Sequence, residues 1–369
     1  MEAIAVKKTR AVMAHGCLLV AGGLLALTGC ASAGAGSSTS NSGANPADVS
    51  NKIMDQAEWS KVVDAANKEG ELTIYGLLSP SMSDPLPAAF QKDYPNIKLT
   101  YVRSTPADIT ARVDAELAAG NVGADVVDIL DHPTFDAYAN KGALLPLTVP
   151  ALGDPKVDRA KNQRTPYVVT MGSAVYAWAW NTKLMPQGIN SWQDLLNVDP
   201  SHLGVTDPSI GPTVASVLQT TEKPQTGGSA FLDKLTSKGA PRSYPGSNPQ
   251  IAAMAAGEIS ATMPVPAGNV ASVKATGAPV DYKVYPNAGS IRNEVVVLKA
   301  GKHPNAAQVY VNWLLGEAGQ TIIAKGMYAV REGVSGLIQT NGVTLEEIPQ
   351  ITTDEAKAFQ QRWKKLLGQ

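Results

Sequence analysis

Residues 166–180 read PYVVTMGSAVYAWAW, a run without a single charge. It is rich in β-branched and aromatic residues, which favours an extended strand over a helix. A strand with no polar face has no side to turn to water, so it is expected to be buried on both faces. That suits a segment crossing between two lobes. Tyr176, Trp178 and Trp180 alternate, so a period of two puts them on one face. They are either a cleft wall that stacks on a ligand or the core of a lobe. A second uncharged stretch, residues 295–298, follows the turn-like Pro286-Asn287-Ala288-Gly289.

Outward from this run, both flanks alternate strand and helix patterns. Before it come a helix over 53–68 stopped by Gly70, a strand over 71–76 and a helix over 85–94 ended by Pro95. A strand over 97–102 follows. Thr105-Pro106-Ala107-Asp108 then supplies an N-cap, a proline in the first turn and an acid at its end, and Gly120 closes that helix. A strand over 124–130 and a helix near 134–140 complete the flank. After the run the pattern resumes, with strands over 203–206, 259–263 and 280–285. Helices are expected over 191–196, 213–220, 230–237 and 249–256, and then over 304–315, 317–325 and 354–367. The fold class is therefore α/β with largely parallel sheets.

The chain has 369 residues, 31 Lys+Arg, 32 Asp+Glu and 17% charged residues. A net charge of −1 removes the clustered basic surface that nucleic-acid binding needs. Lys7, Lys8 and Arg10 precede an apolar stretch, 17–27, that ends in Leu27-Thr28-Gly29-Cys30. The stretch is short for a membrane span and has the layout of an export signal over 1–29. Its last four residues resemble a bacterial lipobox, which implies lipidation of Cys30 and attachment to the outer face of a membrane. Residues 30–51, rich in Ser, Gly, Ala and Asn, are expected to form a flexible tether with a mean reach of roughly 25 Å. The chain has only two cysteines. Cys17 departs with the signal and Cys30 is taken by lipid, so the mature domain has no thiol chemistry.

Several segments together resemble extracellular solute-binding proteins of ABC importers. They are AANKEGELTIYG (65–76), AFQKDYPNIKLTYV (89–102), GADVVDIL (123–130) with KGALLPL (141–147), and YAWAWNTKLMP (176–186). AAMAAGEISATM (252–263), KHPNAAQVYVNWLLGEAGQ (302–320) and GMYAVREGV (326–334) belong to the same set. The branch holding the ferric-iron, phosphonate, polyamine and thiamine binders is the most similar. The resemblance implies a two-lobed, periplasmic-binding-protein-like fold, each lobe a mixed β-sheet flanked by helices, joined by two crossing hinge strands. Residues 52–165 would form lobe 1 and 166–289 lobe 2, with 290–369 returning to lobe 1. It further implies a monomer without cofactor or catalysis, which closes on a small solute and presents it to ABC permease subunits.

Ligands of open α/β sheets sit beyond the carboxyl ends of strands, near helix N-termini. In lobe 1 this singles out Ser79 and Ser81, Arg103, and Asp131 with His132. In lobe 2 it singles out Ser209, Gly211 and Thr213, then Ser247, while Asn269 closes the stretch after the third strand. Hydroxyls and backbone N–H groups at such ends suit a carboxylate, phosphonate or phosphate, but the same hydroxyls also serve as ordinary helix caps. Tyr176 is a candidate wall residue. Arg292, beside the second crossing, suits either an anion clamp or a hinge ion pair. The expected solute is thus a small anion or zwitterion. The ferric-iron members carry two adjacent tyrosines where this chain has Pro264-Val265-Pro266-Ala267-Gly268-Asn269, so that iron clasp is disfavoured, and ferric iron or a ferric chelate is kept as the alternative ligand.

Other chemistry finds no motif. The chain has no Gly-x-x-x-x-Gly-Lys-Ser/Thr, no His-Glu-x-x-His and no Gly-x-Ser-x-Gly. Of other classes, a ligand-sensing module for a membrane receptor and a secreted hydrolase stay as alternatives.

Overall fold

The computed structural model describes residues 52–130, 132–336, 338 and 343–369. The expected signal segment, the tether, Cys30 and Asp131 lie outside the described residues. The first element is helix α1 (Gln56–Glu69). The Asp55 carboxylate accepts from the N–H groups of Ala57 and Glu58, Glu58 reciprocates, and Gly70 ends the helix at φ 73°. β1 (Glu71–Gly76), α2 (Pro80–Ser83), α3 (Leu86–Asp93) and β2 (Lys98–Arg103) follow. The Thr105 hydroxyl accepts from Asp108 N–H to start α4 (Pro106–Ala119), and Gly120 stops it, as the local signals predict. β3 (Val126–Ile129), α5 (His132–Asn140) and β4 (Leu144–Leu145) complete the first lobe's run. β1 lies between β2 and β3, parallel to both.

After α6 (Arg159–Asn162) and β5 (Gln163–Thr165) the uncharged run forms β6 (Val168–Asn181), a 14-residue strand buried along most of its length. The second lobe contains α7 (Trp192–Asn197), β7 (Leu203–Thr206), α8 (Pro212–Gln219) and α9 (Phe231–Thr236). β8 (Arg242–Tyr244), α10 (Ser247–Ala256), β9 (Ala261–Pro266), α11 (Ala267–Ala275) and β10 (Val280–Lys283) follow. β11 (Ala288–Leu298) returns the chain to lobe 1, where α12 (Pro304–Leu315), α13 (Glu317–Ile323) and β12 (Tyr328–Ala329) lie; β13 (Leu345–Glu347) and α14 (Thr353–Leu366) come last.

The main strand order is β2-β1-β3-β11-β6-β9-β7-β8, so antiparallel β11 and β6 stand in the middle and join the lobes. Two apolar clusters fill lobe 1 and two fill lobe 2. β6 feeds all four: Val169 and Met171 enter one lobe 1 cluster and Val168 the other. Val175–Trp178 then enter the larger lobe 2 cluster and Ala179 the smaller. Trp178 stacks on Tyr285 at 5.3 Å between ring centroids, so this member of the alternating aromatics is core.

The central pairings of β6 with β11, β9 and β10 are antiparallel, so the sheet is mixed and not largely parallel, and three further departures from expectation stand out. β11 begins at Ala288, well before residue 295, because Arg292 and Glu294 are each paired and so remain within a strand. α11 has no counterpart in the pattern reading. The C-terminal helix does not return to lobe 1: α12 and α13 do, but α14 buries Ala356, Phe359 and Trp363 in the larger lobe 2 cluster, against α8 and α9.

Candidate functional site

In lobe 2, β7 runs parallel to β8 and β9, and their carboxyl ends open onto a cavity of about 190 Å³. Tyr176 of β6, Thr206 of β7 and Pro264 and Pro266 of β9 line its floor and wall. Ile210 and Val214 flank the start of α8, and Gly246 and Ser247 form the start of α10. Among the described residues, no charged side chain lines this cavity.

Three helices begin here without a side-chain cap. The N-cap positions are Gly211 for α8, Gly246 for α10 and Pro266 for α11, and none supplies a side-chain oxygen to the first turn. The first N–H groups of a helix have no partner within it, and the macrodipole adds partial positive charge there. Such ends attract anions. Ser209, which sequence reading leaves open as cap or ligand group, does not cap α8: it is exposed, and its N–H donates to Asp207 Oδ1 at 2.8 Å. Thr213 sits in the first turn of α8 but does not line the cavity.

A buried polar chain fixes the floor. Thr206 Oγ1 donates to Gln250 Oε1 at 2.5 Å, Gln250 donates in turn to Thr262, and Thr262 Oγ1 donates to the Gly204 carbonyl at 3.1 Å. With Gln250 fully buried, this chain locks α10 over β7 and β9. Asn269 Nδ2 donates to Asn248 Oδ1 at 3.1 Å and Ser247 Oγ at 3.4 Å, tying α11 to α10. Asn269 therefore holds two helix starts together beside the cavity. Burial pushes the Tyr176 phenol well above its ordinary pKa, so it presents a neutral hydroxyl.

The lobe 1 candidates form a separate group, and none of them lines this cavity. Ser79 Oγ lies 2.9 Å from Ser81 Oγ, and Arg103 Nε donates to the Leu78 carbonyl at 2.9 Å. Arg103 is exposed and has no carboxylate partner among the described residues. The donors at the end of β1 are already engaged. Leu77 N–H donates to Asp128 Oδ1 at 3.2 Å and Leu78 N–H to the Tyr101 hydroxyl at 3.0 Å, while that hydroxyl donates to Asp128 Oδ2 at 2.8 Å. Asp128 is fully enclosed, and burial raises its pKa to about 7 despite these donors.

The fold, with a solute-sized cavity at the strand ends of one lobe and two strands crossing to the other, points to one family. The family model for bacterial extracellular solute-binding proteins matches residues 75–321. The chain belongs to this family. Its members are transport proteins and not enzymes; they take a small-molecule ligand and work with ABC permeases. No curated protein sequence matches the chain.

Among solved structures, this solute-binding protein is similar to the substrate-binding protein of an ABC transporter from Agrobacterium tumefaciens. The TM-score is 0.67 at 16% identity, over 82% of this chain and 97% of the other. Iron-bound HitA from Pseudomonas aeruginosa matches with a TM-score of 0.63 at 19% identity, covering 79% and 99%. AfuA from Actinobacillus pleuropneumoniae, with fructose-6-phosphate bound, matches at 0.60 and 19%, covering 81% and 99%. At these identities the likeness establishes the two-lobed fold.

In the hinge of this solute-binding protein, His132 and Arg292 belong to one chain of ionisable side chains. Arg292 Nη2 lies 2.9 Å from Glu347 Oε2, and His132 lies between Glu294 and Glu347 at 3.7 and 3.9 Å. Arg164 grips the fully buried Glu294 with two bonds, of 2.8 and 2.9 Å, and reaches Asp136 at 2.6 Å. Arg292 pairs in register with Ser173, three positions from Tyr176 on the same strand and so on its opposite face. Of the residues singled out in the sequence, the structure thus places Tyr176 and Ser247 on the cavity wall, with Asn269 bonded to Ser247 and Gly211 next in sequence to the lining Ile210. Ser79, Ser81 and Arg103 form a second group, and Arg292 with His132 a third. Thr206 and Gln250 were missed because an isolated Thr or Gln carries no motif; their role depends on which strand end the chain returns to.

Proposed function

We propose that this solute-binding protein captures a small anionic or zwitterionic solute and hands it to an ABC permease in the membrane. Lipid on Cys30 would hold it at the membrane surface. The observation carrying this reading is the convergence of three uncapped helix starts on a cavity with no charged side chain among the described residues. Fixed backbone donors and dipoles hold an anion there without the desolvation penalty of a buried lysine or arginine. Arg103, without an acid partner among the described residues, is the group in lobe 1 best suited to meet the same anion when the lobes close. Iron held by protein phenolates fits less well. Among the described residues Tyr176 is the one phenol lining the cavity, and burial keeps it protonated.

Binding to the folded state alone stabilises it, by about 2.7 kcal/mol at a hundredfold excess over Kd. Thermal melts of the purified chain with phosphate, phosphonates, carboxylates, polyamines and ferric citrate are therefore the direct test. An anion from this panel should raise the Tm; a flat response to all of them would end the proposal, and a response to ferric citrate alone would favour the chelate. Cys30→Ser should release the protein from membranes. Attachment that survives the substitution would refute the lipid anchor.

A further inference from the structure

The helix starts account for a charged head group, but they do not account for the rest of the cavity. Val214, Val217 and Leu218 lie on α8 at i, i+3 and i+4 and form one apolar stripe along its wall. Pro264 and Pro266 face the same space. Of the lining hydroxyls, Thr206 donates to Gln250 and Ser247 accepts from Asn269, so beyond the helix starts the Tyr176 hydroxyl and the Ser247 O–H are the polar groups facing this space among the described residues. At the rim, Ile210 is 51% exposed, one of three large apolar side chains so exposed among the described residues. A single exposed isoleucine is ordinary on a protein surface; what matters here is that Ile210 also lines the cavity.

Resting on the anion reading above, the geometry points to a narrower class: an organic anion with one phosphonate or carboxylate head and a compact apolar body. The head sits at the starts of α8, α10 and α11. The body lies along the α8 stripe under Ile210. Size supports this, because a cavity of about 150 Å³ is enough for benzene, and this one is about 190 Å³. A body the size of a phenyl ring fills it, and a polyhydroxylated body of similar bulk would leave its hydroxyls facing valine, leucine and proline without partners.

Calorimetric titration of the purified full-length chain with orthophosphate, methylphosphonate, butylphosphonate, phenylphosphonate and glucose 6-phosphate separates the possibilities. Affinity should rise by roughly fourfold per buried methylene from methyl to butyl, and phenylphosphonate should bind at least tenfold tighter than methylphosphonate. Ile210→Ser lies on the exposed rim and should preserve folding. It should cut the phenyl-over-methyl ratio by threefold or more. Val214→Thr, which keeps the shape and adds a hydroxyl, should act in the same direction. If orthophosphate or glucose 6-phosphate binds as tightly as phenylphosphonate, the apolar body is refuted and the anion reading survives. If neither these probes nor benzoate, the carboxylate counterpart of phenylphosphonate, binds, the narrower class is refuted, and the melting panel decides the anion reading.

Discussion

Asp128 shows how much one side chain carries here. Its carboxylate holds the Leu77 N–H and the Tyr101 hydroxyl, and through Tyr101 the Leu78 N–H, so it sets the loop on which Ser79 and Arg103 depend. Gly76 is needed beside it: a Cβ there would lie 2.1 Å from both Asp128 Oδ2 and the Tyr101 hydroxyl. Burial raises the Asp128 pKa from 3.8 to about 7. A raised folded-state pKa means that the native state binds the proton more tightly than the unfolded chain. The group's contribution is therefore fully present below about pH 4 and is lost as pH rises through 7. On the order of 4 kcal/mol is at stake over that interval. Asp128→Asn removes the titration, so wild-type stability relative to the variant should fall between pH 4 and pH 8. Urea midpoints measured across that range would show it; two parallel pH profiles would rule it out.

At the scale of elements, what sequence reveals depends on whether the signal is local. α4 was legible from Thr105, Pro106, Asp108 and Gly120 because capping is settled within a few residues. β6 was legible because a strand without charge has to be buried. α11 was not: its first turn, Ala267-Gly268-Asn269, offers no cap, and Gly268 suggests a loop. The reason for that glycine is tertiary. A Cβ at Gly268 would stand 1.9 Å from the Gly326 carbonyl oxygen, where α11 of lobe 2 meets the loop after α13 of lobe 1. Similarly, the spacing of Ala356, Phe359 and Trp363 shows that α14 packs on something but not on which lobe. Arg292 needed Glu347, which a distant part of the chain delivers. Gly268→Ala should push α11 away from residue 326, at a cost of about 1–3 kcal/mol. Because Asn269 ties α11 to α10, solute affinity should drop as well. An unchanged urea midpoint would show that the backbone contact is not tight.

For the whole molecule, the decisive fact is that one strand belongs to every core. Neither lobe can lose its apolar clusters without exposing part of β6, and β11 couples three of the four in the same way. Between those cores the crossing is polar: Arg292, Asn293 and Glu294 face Ser173, Gly172 and Thr170, with a register shift at Asn293/Glu294. Glu294 is tolerable there only because Arg164 holds both its oxygens. Removing one partner of a buried pair costs about 3–5 kcal/mol, whereas replacing both with apolar residues of similar volume is often neutral. Arg164→Ala should therefore destabilise by that amount, and Arg164→Met with Glu294→Leu should recover most of it. Both lobes should feel the single change equally. Hydrogen exchange followed through a urea series should give coincident midpoints for lobe 1 amides in β1 and lobe 2 amides in β7, shifted together by Arg164→Ala. If β1 shifts and β7 stays, the hinge strands join two independent folding units and the shared-strand coupling is wrong.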